Sequence, residues 1–224
     1  TLFRSPISGS LSGTAHRANG LCELPDSLAE YPVPKQSHHQ LRIIGGEWRS
    51  RRLRFPAIDG LRPTMDRVRE TVFNWLQYDI EDARVLDAFA GSGALGFEDL
   101  SRGAQEVVFL EKHPKAAIQL KEKLSQIEAD TAHVWAGDAL QWLEQNPEPY
   151  DVVFLDPPFH CDLLVKASAL LVNSGCLTED AIIYVEHNVD ANIVMPENWF
   201  CLKEKKAGQV AYKLYEHRNI KVSE

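Results

Sequence analysis

The segment Asp151–Phe159 reads DVVFLDPPF, a run of β-forming residues that stops at an acid, two prolines and an aromatic ring. Proline donates no hydrogen bond and holds the chain extended, so the carbonyls of such a loop stay free and fixed in direction. An exocyclic amine fits that arrangement. The Asp156 carboxylate and the Pro157 carbonyl can accept its two N–H bonds, Pro158 keeps the loop extended, and Phe159 can stack on the attached ring. The nitrogen is then aimed at an electrophile. A plainer reading is that Asp-Pro-Pro merely terminates a strand.

Three other short segments carry residues of the same kind. In LDAFAGSGALG, Gly91, Gly93 and Gly96 fit GxGxxG between a strand and a helix, a pattern shared by binders of NAD, FAD and S-adenosylmethionine. Asp87 precedes it and can accept from a cationic or hydroxyl-bearing ligand, whereas a pyrophosphate would be repelled; alternatively, it fixes its own loop through backbone N–H groups. In FLEKH, Glu111 follows Gly91 by twenty residues, the place of an acid that takes ribose hydroxyls. In AGDAL, Asp138 can accept an adenine amine while capping a helix that starts at Ala139, or it can only cap.

These residues act together only if the segments ending in them are neighbouring strands of one sheet, since ligands of open parallel sheets sit beyond the carboxyl ends of the strands. The pattern from Ala83 onward supports this. Short apolar runs at ARVLDAF, EVVFLEK, AHVWAG, YDVVFLD and DAIIYVEH are separated by helical stretches near 93–103, 114–128, 138–145 and 162–173. That alternation predicts βα units and a parallel sheet. FCLKEKKAGQVAYKLYE alternates on both sides of Ala207-Gly208 and predicts an antiparallel hairpin closing one sheet edge. Upstream, LRIIGGEWRSRRLRFP predicts a short hairpin around Gly45 and Gly46. In GLRPTMDRVRETVFNWL a helix begins near Pro63 and Thr64 and sets Val68, Val72, Trp75 and Leu76 on one stripe. Residues 1–40 are rich in Ser, Gly, Pro and His without apolar periodicity and read as a disordered extension.

Composition bounds the partners. The chain has 224 residues and a formal net charge of −8, yet Leu41–Glu70 holds eight arginines against four acids, a local +4 that leaves −12 elsewhere. An acidic protein with one basic arm can still meet nucleic acid through that arm, with Arg49, Arg51, Arg52 and Arg54 as the candidates for phosphate contact. A solvated charged hairpin is the alternative. The four cysteines form no CxxC pair, so neither a zinc site nor a disulfide framework is expected. No apolar run approaches a membrane span, and a soluble protein of the reducing cytoplasm is expected.

The four strand ends, in this order, resemble class I S-adenosylmethionine-dependent methyltransferases, and DPPF resembles their amino-methyltransferase group. RIIGGEWRSRRL, GLRPTMDRVRETVFNWL, DAFAGSGALGFE, DPPF and AGQVAYKLYE together are similar to the ribosomal RNA small subunit methyltransferase D family. That resemblance covers about residues 41–218. It implies a Rossmann-like seven-stranded sheet over residues 63–224 with a small N-terminal hairpin arm over 41–62. It also implies methylation of the N2 amine of a guanine in 16S rRNA, or in the assembling small subunit, with S-adenosyl-L-methionine as donor and no metal. Asp87, Gly91 and Gly93 would surround the methionine part of that cofactor, Glu111 the ribose and Asp138 the adenine, with Ala90, Lys112 and Ala139 beside them. Arg62 and Thr64 would lie over the cofactor, Asp156 to Phe159 would hold the guanine, and the arm's arginines would meet RNA. The chain departs from the family in its longer N-terminal extension and in His160-Cys161 after DPPF. An adenine-N6, cytosine-N4 or protein-glutamine methyltransferase, an NAD-dependent oxidoreductase and a non-catalytic RNA-binding module are the competing readings.

Overall fold

The computed structural model of the protein describes residues 38–56, 65–146, 148–158 and 161–219. Five strands alternate with helices as the apolar pattern requires: β3 (Arg84–Asp87), β4 (Glu106–Glu111), β5 (Ala132–Ala136), β6 (Tyr150–Leu155) and β7 (Leu177–Asn188). They pair in parallel, and β9 (Val210–His217) and β8 (Trp199–Ala207) add antiparallel, giving the order β5-β4-β3-β6-β7-β9-β8. The hairpin at Ala207-Gly208 thus closes one edge, with the later strand inside and β8 outermost. β1 (His38–Arg42) and β2 (Arg52–Pro56) form a separate two-stranded antiparallel arm. Pairing begins at His38, so His38–Gln40 belong to the arm and not to the extension that their composition suggested. No helix among the described residues is long and apolar enough to cross a membrane.

Alternation along the central strands sends side chains to two packed faces. Val152 and Phe154 of β6 join one core with α1 (Asp66–Trp75), α2 (Ala94–Ser101) and α3 (Pro114–Gln126); Val153 and Leu155 join the other with α4 (Ala139–Gln145) and α5 (Cys161–Asn173). Strands buried on both sides read as near-continuous apolar runs, which is why EVVFL and DVVFL stood out. On α1 the buried stripe is Val68, Arg69, Val72 and Phe73, with Leu76 buried just beyond it and Trp75 half-buried.

The buried arginine on that stripe explains how the arm is held. Arg69 and Glu98 are both fully buried and ion-paired at 2.9 Å, and Arg69 also donates to the Arg42 carbonyl and to Asp66. Glu98 in turn accepts the backbone N–H groups of Ile44 (2.6 Å) and Gly45 (3.2 Å). Ser101 completes the dock: its hydroxyl donates to the Gly45 carbonyl at 2.6 Å and accepts from the Trp48 N–H at 2.9 Å. Gly46 has φ +73°, and a Cβ there would lie 1.7 Å from the Ser101 carbonyl oxygen, so only glycine lets the arm approach this closely. Leu53 and Phe55 alternate inward, with Phe55 against Phe97 of α2 at 6.3 Å between ring centroids.

Candidate functional site

The carboxyl ends of β3, β4, β5 and β6 lie side by side, so the residues picked from four separate segments meet along one edge of the sheet. Asp87 is buried and accepts the Gly96 N–H at 3.3 Å, and burial pushes its carboxyl up to about 7 against the opposing pull of backbone N–H groups, with the charge of Glu111 adding to the rise. The loop-fixing role considered for Asp87 is therefore real, and the carboxyl still ends at the glycine-rich turn. In that turn Gly91 and Gly93 take positive φ, and Gly93 caps the N-terminus of α2. Gly96 serves closeness: a Cβ there would lie 2.2 Å from the Phe109 ring on β4.

Glu111, at the end of β4, binds the glycine turn from the neighbouring strand. Its two oxygens accept the Gly91 N–H (2.7 Å) and the His113 N–H (2.6 Å). Burial raises its pKa, and the two N–H bonds pull it down. Each carboxylate oxygen has a second lone pair, so these bonds orient the group and leave it able to accept again. Asp138 caps α4 by accepting from the Leu140 and Gln141 N–H groups and pairs with Lys112 at 2.9 Å, which lowers its pKa. Ala90 and Ala139 are buried beside these loops, with the Ala90 N–H on the Leu110 carbonyl.

Just after β6, Asp156 is half-buried, Pro157 buried and Pro158 exposed. Phe159, His160, Arg62 and Thr64, including the stacking and cofactor-covering positions expected for Phe159, Arg62 and Thr64, lie outside the described residues. Arg49, Arg51, Arg52 and Arg54 are all exposed on the arm, and among the described residues none of them forms an ion pair. The eight arginines of this region do not act alike, because Arg69 is consumed in the buried dock. Sequence reasoning did not single out Tyr184 and Glu186, in the second half of β7. The signal for them was an acid ending an apolar strand, YVEH, just as in LDAF and FLEK.

A seven-stranded sheet of five parallel strands with an antiparallel hairpin at one edge, acids at or just after three successive strand ends, a glycine turn between the first of these strands and its helix, and Asp-Pro-Pro after the fourth defines a class I methyltransferase fold. The family described as "Conserved hypothetical protein 95" matches residues 41–216. Ribosomal RNA small subunit methyltransferase D of Escherichia coli K12 is 48% identical over 178 residues, which is 79% of this chain and 90% of that protein. The protein of the same name from Haemophilus influenzae is 48% identical over 182 residues, 80% of this chain and 94% of that one. A solved Escherichia coli structure described as a candidate methyltransferase superposes with a TM-score of 0.76 at 46% identity, covering 80% of this chain and 99% of that one. The chain belongs to the ribosomal RNA small subunit methyltransferase D family.

Proposed function

We propose that the protein transfers a methyl group from S-adenosylmethionine to the exocyclic N2 amine of a guanine in 16S rRNA. The observation that carries this reading is that Asp-Pro-Pro follows β6 beside β3, which ends in Asp87, with Glu111 ending β4 and Asp138 following β5 along the same sheet edge, in a chain nearly half identical to named rRNA methyltransferases. The donor set suits the cofactor: the buried Asp87 faces a cationic amino-acid group, Glu111 is oriented for a ribose diol, and Asp138 is available to an adenine amine. When bound, S-adenosylmethionine supplies an electrophilic methyl on a sulfonium. Asp156 and the Pro157 carbonyl hold the amine. Guanine N2 is a poor nucleophile, its lone pair being delocalised into the ring, so the chain's main contribution is orientation, which can supply roughly 7–11 kcal/mol. The deciding experiment is methyl transfer to 16S rRNA and to small subunits lacking the modification, followed by nucleoside mapping. Label on adenine N6 or cytosine N4 would overturn the guanine assignment.

Asp87 gives this reading a pH signature. Its folded pKa, about 7, lies above the unfolded carboxylate value near 3.8. The folded state therefore binds a proton that the unfolded state lacks, and the stability this contributes is complete below about pH 4 and lost as pH rises through about 7. The full span corresponds to about 4 kcal/mol at most. Asp99, buried close by, is held well above its usual range mainly by burial and acts with the same sign. Asp87→Asn is thus expected to flatten part of the pH dependence of melting. A cationic ligand group needs Asp87 ionised, so S-adenosylhomocysteine should bind about tenfold more weakly at pH 6 than at pH 8. Calorimetry in two buffers of different ionisation heat should register proton release at pH 6; equal affinity at both pH values contradicts the assignment.

The arm's arginines are read as phosphate contacts. Affinity for RNA should then fall with salt at a log–log slope of roughly −0.7 to −0.9 per phosphate. Arg51→Glu with Arg52→Glu should make that slope shallower by about two contacts while leaving binding of S-adenosylhomocysteine unchanged. A slope unaffected by the double substitution would remove the arm from the interface.

A further inference from the structure

The end of β7 carries a pair of side chains to which neither the motif nor the family name gives a task. Phe154 of β6 is in register with Tyr184 of β7, and their rings lie 5.8 Å apart on one face. Two residues further along β7, Glu186 returns to that face, because side chains alternate with period two, and Asp156 is the first residue after β6. The last paired position, Leu155 with Val185, is immediately before them. The Tyr184 hydroxyl donates to Glu186 Oε2 at 2.8 Å, and its pKa is held far up by burial first and then by the charges of Glu186 and Asp156. On the other side, Glu186 pairs with Tyr212 of β9, whose ring is 5.5 Å from that of Trp75. A half-buried carboxylate with one oxygen fixed by a tyrosine therefore stands beside the Asp-Pro-Pro loop and against an aromatic wall.

Asp156 and the Pro157 carbonyl account for the two hydrogens of an exocyclic amine, and they would do so equally for adenine N6, cytosine N4 or guanine N2. What separates these bases is the neighbouring ring nitrogen. In guanine, N1 carries a hydrogen; in adenine N1 and in cytosine N3 the same place is a lone pair. A buried N–H left without an acceptor is costly, and a lone pair set against a carboxylate is repelled. We infer that Glu186 is the specificity-determining residue of the site: its Oε1 accepts the N1–H of the target guanine, while Tyr184 fixes its other oxygen. This rests on the reading of the protein as a guanine-N2 methyltransferase, and it explains how a strand end common to several amine methylations commits to one base.

The test uses RNA substrates carrying either guanosine or 2-aminopurine riboside at the methylated position. Both have the C2 amine, but only guanine has N1–H. The wild-type protein should prefer guanosine in kcat/KM by roughly 10- to 100-fold, the range of one charge-assisted hydrogen bond. Glu186→Gln keeps the shape and the acceptor for Tyr184 but presents an amide N–H that can donate to the bare N1 of 2-aminopurine. It should lose roughly 10-fold or more on guanosine, and the preference should shrink by a similar factor, with the thermal shift by S-adenosylhomocysteine unchanged. Glu186→Ala should lose turnover on guanosine and also narrow the preference. A wild-type protein that uses both substrates equally, or a Glu186→Gln protein that slows on both by the same factor, overturns the role of Glu186 and leaves guanine methylation standing. If the wild-type protein transfers no methyl to the guanosine substrate while mapping places the label on another base, the underlying reading fails, and this inference with it.

Discussion

Asp156→Ala is expected to lose turnover by roughly 10² to 10³-fold while binding S-adenosylhomocysteine as the parent does. One charge-assisted hydrogen bond accounts for about 1.5–3 kcal/mol of that loss. The remainder comes from orientation, because an amine held only by the Pro157 carbonyl can rotate its lone pair away from the methyl donor. Cofactor affinity should survive, since the acids proposed for the cofactor end β3, β4 and β5, whereas Asp156 follows β6. Single-turnover methyl transfer alongside a thermal shift separates the two quantities. Near-normal turnover would remove Asp156 from the reacting centre, and a lost thermal shift would reassign it to the cofactor.

Glu98→Ala should cost about 3–5 kcal/mol of stability, the usual penalty for breaking a buried ion pair by removing one partner. Arg69 would be left fully buried with only Asp66 and the Arg42 carbonyl, and the N–H groups of Ile44 and Gly45 would lose their acceptor. For a chain of this size the melting temperature should fall by about 10 °C. The loss should concentrate on the arm, so cleavage after its exposed arginines should accelerate and RNA affinity should drop. Glu98→Gln retains acceptor shape without charge and should fall between the two. A melting temperature within about 2 °C of the parent would mean that the arm is held by its apolar contacts and by Ser101 without help from the ion pair, at a scale where each kcal/mol moves the midpoint by roughly 2–4 °C.

The strong periodicities made most of the fold readable. Strands buried on two faces must be apolar nearly throughout, so EVVFLE and YDVVFL named themselves, and the acids that end them marked the edge where ligands bind. Glycine motifs read well for the same reason: at Gly96 nothing larger fits against Phe109. The arm was visible as alternation in RLRF, but the boundary at its start was not. His38–Gln40 have no apolar pattern and are held in β1 by pairing with residues 54–56. Arg69 was the plainest misfit. In the sequence it is one of eight arginines in a basic stretch; in the fold it is fully buried, since its position on α1 faces Glu98 of α2.

Composition and spacing therefore picked out the candidate residues: the acids at or just after the strand ends, the glycine turn, Asp-Pro-Pro and the arginines of the arm. These follow from short-range rules, since a strand must end, a turn must clear a side chain, and a proline removes a donor. Tertiary structure alone decided which of those residues are neighbours. The register of β6 with β7, which ends at Leu155 with Val185, brought Glu186 to the Asp-Pro-Pro loop, and the packing of α1 on α2 turned Arg69 inward. Both depend on contacts between segments about thirty residues apart, where no local pattern in the chain records the distance.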